Sequence, residues 1–221
     1  MEKKVIIFGT SQTAELAHYY LQNDSNCEVA GFTLTRDNIR GSSFRGLPIF
    51  AFEDLVINLP QDEYCLFAPL MAHEVNRYRE KIFLRGKQLG YSFISYISSK
   101  ATVLTPHIGE NCFILEGNII QPFVEVGDNV MIWSGNHIGH HSIIESSVFI
   151  TSHCVISGNC IVKKRAYFGV NSSLVDNCSF EQECMLTMGS MLSLKKTKEG
   201  CVYRGNPARA IEKITSKSLL G

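Results

Sequence analysis

Long apolar runs are missing from this chain of 221 residues. No uninterrupted apolar stretch approaches the roughly 20 residues of a membrane-spanning helix, so no membrane span is expected. The opening charges of Glu2, Lys3 and Lys4 lead into only the short run Val5–Phe8, which reads as a first strand rather than a signal peptide. A cytoplasmic location is the expectation. Excess charge of either sign is also missing, with 21 basic against 21 acidic residues. Nothing therefore draws the surface as a whole toward nucleic acid or a membrane. The eight cysteines include no C-x-x-C pair, the spacing of a zinc knuckle or a redox dithiol. The dinucleotide fingerprint G-x-G-x-x-G is absent too. The turn Gly9-Thr10-Ser11-Gln12-Thr13 lacks the second and third glycines that let a pyrophosphate approach, so an NAD(P) site is not expected.

What is present is a period of six. Starting at Ile108, every sixth residue is apolar through Leu192: Ile108, Ile114, Ile120, Val126, Ile132, Ile138, Ile144, Ile150, Ile156, Val162, Phe168, Leu174, Phe180, Leu186 and Leu192. In a chain that is 45% hydrophobic, such an unbroken series has a chance probability on the order of 10⁻⁵. Four residues after each member up to Leu186 stands a small or β-branched side chain, or an amide at Asn118 and Asn136. Five cysteines (Cys112, Cys154, Cys160, Cys178, Cys184) fall in this small-residue column. Buried cysteine acting as a small hydrophobe accounts for them. Six fits neither a helix nor an alternating strand. It fits a β-solenoid in which each hexapeptide is a short strand plus a corner. Three hexapeptides per coil give four to five coils and, at ~4.8 Å per stacked strand, a prism roughly 20–25 Å long.

Before the repeat, strands and helices alternate. Val5–Phe8, Cys27–Thr33, Tyr64–Leu70 and Phe93–Ile97 read as strands, while 13–21 and 72–89 read as helices. That alternation predicts a small Rossmann-like α/β domain with a parallel sheet. The expected division is an acceptor-binding domain over 1–97, a β-helix over 98–194, and a C-terminal loop and capping segment over 195–221, with 210–220 as a closing helix. The turn Gly9–Thr13 admits two readings. It is an ordinary strand-to-helix turn capped by Ser11, or an anion site in which Gly9, Ser11, Gln12 and Thr13 offer groups at a helix start.

Four of the seven histidines, His137, His140, His141 and His153, lie within seventeen residues. His140 and His141 follow Ile138 at a predicted corner, where side chains project outward. Neutral imidazole is suited to taking a proton near pH 7. With His137 and Asn136 beside them as candidate substrate contacts, these residues mark the expected site.

The hexapeptides Ile108-Gly109-Glu110-Asn111-Cys112 and Val126-Gly127-Asp128-Asn129-Val130, the terminal turn Gly205-Asn206-Pro207-Ala208 and the N-terminal α/β domain together resemble the bacterial sugar acyltransferases of the sialic-acid O-acetyltransferase-like family. That family includes N-acetyltransferases of nucleotide-linked amino sugars. The resemblance implies a left-handed coil, a homotrimer, and acetyl-CoA as co-substrate between neighbouring prisms, without a metal. It places the general base on His140 in Ile138-Gly139-His140. His141 stands where several relatives carry a glutamate, and counts with His140 as catalytic. It places coenzyme contacts on Phe149, Gly158, Gly169, Val170, Met188 and Gly189. Lys195, Lys196, Lys198 and Arg204 either meet the coenzyme phosphates or form a solvated loop. Relatives commonly have an acidic pair after the second strand. Here the run Gly31–Asp37 has only Asp37, so a nucleotide-linked or a free sugar acceptor both stay open, as do N- and O-acylation. Outward Phe123, Trp133 and Phe149 predict the trimer contact. Two other classes remain: a zinc enzyme of γ-carbonic-anhydrase type, whose histidine spacing this chain does not reproduce, and a non-catalytic trimeric scaffold.

Overall fold

The computed structural model of the chain describes residues 3–220. The first domain is a five-stranded sheet of order β3-β4-β2-β1-β5, from β1 (Lys4–Phe8), β2 (Val29–Leu34), β3 (Ser43–Phe44), β4 (Leu47–Ala51) and β5 (Tyr64–Phe67). Four strands are parallel, and β3 folds back antiparallel on β4. Helices α1 (Gln12–Asn23), α2 (Leu55–Asn58) and α3 (Arg77–Gln88) complete the domain. Alternate residues of β1 enter opposite layers. Val5 and Ile7 pack with Ala14, Ala17, Leu21 and Phe67, whereas Ile6 and Phe8 pack with Phe52, Leu55, Leu66 and Ile82. Burial on both sides is why Val5–Phe8 is uniformly apolar.

The rest of the chain winds as a left-handed parallel β-helix with three faces. Face 1 stacks Tyr96–Ile97, Phe113–Ile114, Met131–Ile132, Phe149–Ile150, Tyr167–Phe168 and Met185–Leu186. Face 2 stacks Thr102–Val103, Ile119–Ile120, His137–Ile138, Val155–Ile156, Ser173–Leu174 and Met191–Leu192. Face 3 stacks Glu125–Val126, Ile143–Ile144, Ile161–Val162 and Ser179–Phe180. From Phe113 to Ser173 each strand pairs with the one 18 residues ahead, as in Met131 on Phe149 and His137 on Val155. The apolar series fills the interior together with the five cysteines of the small column. Burial pushes the Cys178 thiol up to about 12 and those of Cys112 and Cys184 to about 11.

Three expectations are corrected here. The strand expected over Phe93–Ile97 is divided: Phe93 bridges Leu66 of the first domain, whereas Tyr96–Ile97 is the first rung of face 1. The second long helix begins at Arg77, because Glu74, Val75 and Asn76 all have positive φ. Residues 210–220 are not one helix. Ala208–Thr215 pairs antiparallel with Cys201–Gly205, and only Ser216–Leu220 is helical.

The first domain sits on face 1. Its core runs into Tyr96, Phe113, Met131 and Phe149. Arg79, fully buried, donates to the Asn129 carbonyl at 2.8 Å and lies over the Phe149 ring at 5.5 Å. Asp24 at the end of α1 accepts from the Ser99 N–H at 2.9 Å and the Tyr96 hydroxyl at 2.6 Å. Those bonds hold its carboxyl well below the usual carboxylate range.

Candidate active site

The corner between faces 2 and 3 carries His140 and His141. The chain leaves face 2 at Ile138 and turns through Gly139-His140-His141-Ser142 into Ile143 of face 3. Gly139 is required by close stacking: a Cβ there would lie 2.5 Å from the Gly158 nitrogen of the next coil. His141 takes the left-handed position, φ +56, in a column with Phe123, Asn159 and Asn177. Both imidazoles are exposed. The backbone N–H of His140 donates to Gln121 Oε1 at 2.9 Å. The Nδ1 atoms of His140 and His141 lie 3.1 Å apart, and the His141 ring packs on the Phe123 ring, tilted by 34°, with centroids 4.6 Å apart. Gly158 leaves room for the His140 ring, since a Cβ on it would meet His140 Cε1 at 2.9 Å and Nε2 at 3.0 Å. Sequence spacing misses the Phe123 contact, although its signal is there as an offset of 18 residues.

The other two histidines of the cluster are elsewhere. His137 lies on face 2 between Ile119 and Val155. His153 is at the corner between faces 1 and 2, over Gly135. The described residues of the chain bring together no group of three or more His, Cys, Asp or Glu placed to hold a metal ion.

A second candidate surface is a cleft of about 860 Å³ between the first domain and the corner after Met131–Ile132. Gly9, Ser11, Gln12 and Thr13 line it, with Asn38, His73, Tyr78 and Trp133. Gly9 has φ +116. Ser11 holds the N-cap position of α1, yet its hydroxyl makes no capping bond, so it is free toward the cleft. Arg36 does not line the cleft and pairs with Asp54 at 2.6 Å.

Of the expected coenzyme residues, Gly158 adjoins His140. Gly169, Val170, Met188 and Gly189 stack on each other at the corner between faces 1 and 2; a Cβ on Gly169 would sit 2.4 Å from the Met188 nitrogen. Two expected site residues are corrected. Phe149 is completely buried under the first domain, because strand alternation turns it out of the prism but the domain covers that face. It presents no surface to a ligand or a partner prism. Trp133 is likewise packed against the domain core. Asn136 is buried as well. Its side chain bonds the Trp133 carbonyl and accepts from the Cys154 N–H at 2.7 Å, bracing the corner from inside. Phe123 is exposed as expected, and further exposed apolar residues lie along face 2, at Ile119, Val155 and Met191, and at Val170 and Met188 beside it.

The two surfaces are apart in one chain. Trp133 of the cleft lies at the corner before the face 2 strand His137–Ile138, and His140 at the corner after it.

Residues 105–140 match the bacterial transferase hexapeptide (six repeats) family. No curated protein matches the sequence. Solved structures match almost end to end. The acetyltransferase domain of PglB from Neisseria gonorrhoeae FA1090 superposes with TM-score 0.80 at 18% identity, covering 95% of this chain and 100% of that one. PerB from Caulobacter crescentus, solved in complex with CoA and GDP-perosamine, gives 0.82 at 20%, covering 96% and 98%. WeeI from Acinetobacter baumannii AYE gives 0.76 at 18%, covering 95% and 100%. At these identities the likeness establishes the shared fold, an α/β domain followed by a left-handed β-helix.

Proposed function

We propose that this chain is a cytoplasmic, acetyl-CoA-dependent sugar acyltransferase of bacterial surface-glycan synthesis, with His140 as general base. The observation that carries the reading is the paired imidazole corner. An exposed His140 is engaged at Nδ1 by His141, which leaves Nε2 as its outward nitrogen. The neighbour solved with CoA and GDP-perosamine supports a nucleotide-linked amino sugar as acceptor. The cleft around Gly9–Thr13 is its seat, with backbone N–H groups at a helix start and the free Ser11 hydroxyl suited to an anionic diphosphate.

In the reaction the acceptor nitrogen attacks the thioester carbonyl carbon directly. His140 Nε2 takes the proton that the nitrogen loses. The tetrahedral intermediate collapses, the C–S bond breaks, and the leaving thiolate receives that proton from the imidazolium. No enzyme nucleophile is required, which agrees with cysteines held in the interior with raised thiol pKa. A hydroxyl acceptor follows the same path.

Because the cleft and His140 lie on different sides of one prism, the working unit is a homotrimer. The exposed apolar residues of face 2 form its contact, and a neighbour's cleft meets each His140 corner. The coenzyme lies between prisms along Gly158, Gly169, Val170, Met188 and Gly189. Two measurements test the reading. Thiol release from acetyl-CoA, across a panel of nucleotide-amino sugars and free sugars, should depend on an acceptor; release with none of them rejects the activity. Light scattering should give the mass of three 24.7 kDa chains; the mass of one chain rejects the shared site.

A further inference from the structure

The corner between faces 2 and 3 holds a residue for which packing within the single chain gives no reason. Phe123 has φ +65, a left-handed conformation that strains a bulky side chain and suits glycine or asparagine. Asparagine is what the later coils place there, at Asn159 and Asn177. Phe123 is 67% exposed, so burial does not offset the strain. Its ring packs in a tilted contact on His141, and His141 reaches His140 through the Nδ1 pair at 3.1 Å. Two Nδ1 atoms at that distance share one hydrogen, since two bare lone pairs or two N–H groups would repel.

We propose that His141 and Phe123 are positioning residues that hold His140 as the Nδ1–H tautomer, with Nε2 bare toward the acceptor. This rests on His140 being the base. His140 Nδ1–H donates to His141 Nδ1, and the tilted ring contact with Phe123 keeps the His141 ring from turning away. Gln121 fixes the His140 backbone from the preceding coil, and Gly158 clears space for the ring in the following one. Three successive coils thus set one imidazole. When Nε2 takes the acceptor's proton, the positive charge spreads onto His141 through the shared hydrogen. The π-face of Phe123 favours that charge. Return of the proton to the thiolate resets the pair.

The test uses three substitutions that suit a left-handed backbone. His141→Gly removes the ring without straining the turn; kcat should fall about 10- to 100-fold, less than the roughly 10²–10⁴-fold worth of the base itself, with both KM values and Tm unchanged. His141→Asn puts Oδ1 where Nδ1 stood, an acceptor for the same hydrogen, and should recover most of the lost kcat. Phe123→Asn relieves the strain, so Tm should hold or rise while kcat falls several-fold. Nitrogen-15 NMR of the imidazoles should report His140 as Nδ1–H in the unaltered protein and a tautomer mixture in His141→Gly. Wild-type kcat in His141→Gly, or His140 found as the Nε2–H tautomer, overturns the proposal. His140→Ala separates the two ideas. If that variant is inactive and His141→Gly is not, only the positioning role fails; if it turns over normally, the base assignment fails too.

Discussion

Between faces 3 and 1 the left-handed corner column reads Asn111, Asn129, Ser147, Arg165, Glu183. Between faces 2 and 3 it reads Phe123, His141, Asn159, Asn177. The backbone turn is the same in both. In the first column the side chains bond along the stack and to the α/β domain. Asn111 donates to Asn129 at 2.8 Å, Asn129 to Ser147 at 2.9 Å, and the Ala68 N–H donates to Asn111 at 2.8 Å. Arg165 and Glu183 pair with Glu80 and Arg77 of α3. The second column faces solvent and carries the imidazole pair. A repeat that supplies identical turns leaves the cover on each edge to decide its use: glue where the chain's own domain lies over it, and the proposed chemistry where that domain is absent.

Substitution in the two columns should therefore separate activity from stability. The largest expected effect is on the open edge: His140→Ala should lower kcat by ~10²–10⁴ while Tm stays put in a melting curve. On the covered edge Asn129→Ala should do the reverse. It strands the Asn111 amide and the Ser147 hydroxyl, a loss of about 1–3 kcal/mol, visible as a drop of several degrees in Tm with normal turnover by the folded fraction. A slow, fully stable Asn129→Ala would erase the distinction. At the acceptor cleft, Ser11→Glu should raise the KM for the sugar about tenfold, the equivalent of ~1.4 kcal/mol, and leave that for acetyl-CoA alone. Equal change in both would make the cleft structural.

The smallest effect expected is on pH dependence. The folded Asp24 carboxyl is depressed by the Ser99 and Tyr96 bonds. Its contribution is thus complete above its ordinary value near 3.8 and fades as pH falls below that. His18 is lowered by burial, with Nε2 unpartnered, so stability also declines as pH drops below about 6.5. Urea midpoints from pH 7 to 3 should fall in two stages. Asp24→Asn should flatten the lower stage and His18→Gln the upper. An unchanged profile in both would dissociate these groups from the acid response.

The prism was legible because interior packing is periodic: Ile108 through Leu192 repeat what each coil must bury. His140 and His141 were legible as corner residues for the same reason. What a period cannot carry is which face gets covered. Phe149 and Trp133 read as free surface, but Phe149 lies under the α/β domain and Trp133 packs against its edge at the cleft. Asn136 read as a substrate contact, although its column position already placed it inside. The β3–β4 hairpin went unread because Gly46 and Pro48 interrupt two short strands. Residues 208–215 pattern ambiguously, and pairing with Cys201–Gly205 makes them a strand.

Because coil follows coil at an offset of 18 residues, this molecule is a ladder with a fixed pitch. Eighteen residues spliced in after Gly158 would add one rung, about 4.8 Å, and return every downstream residue to its own face. Six residues spliced in at the same point would also keep the apolar series in phase, and the interior would tolerate them. Yet everything beyond would advance by one face, carrying Gly169 and Met188 from the edge of face 2 next to face 1 to the edge next to face 3. Length and rotation are thus counted in different units along one chain. A change that the core cannot detect is enough to rearrange the outside completely.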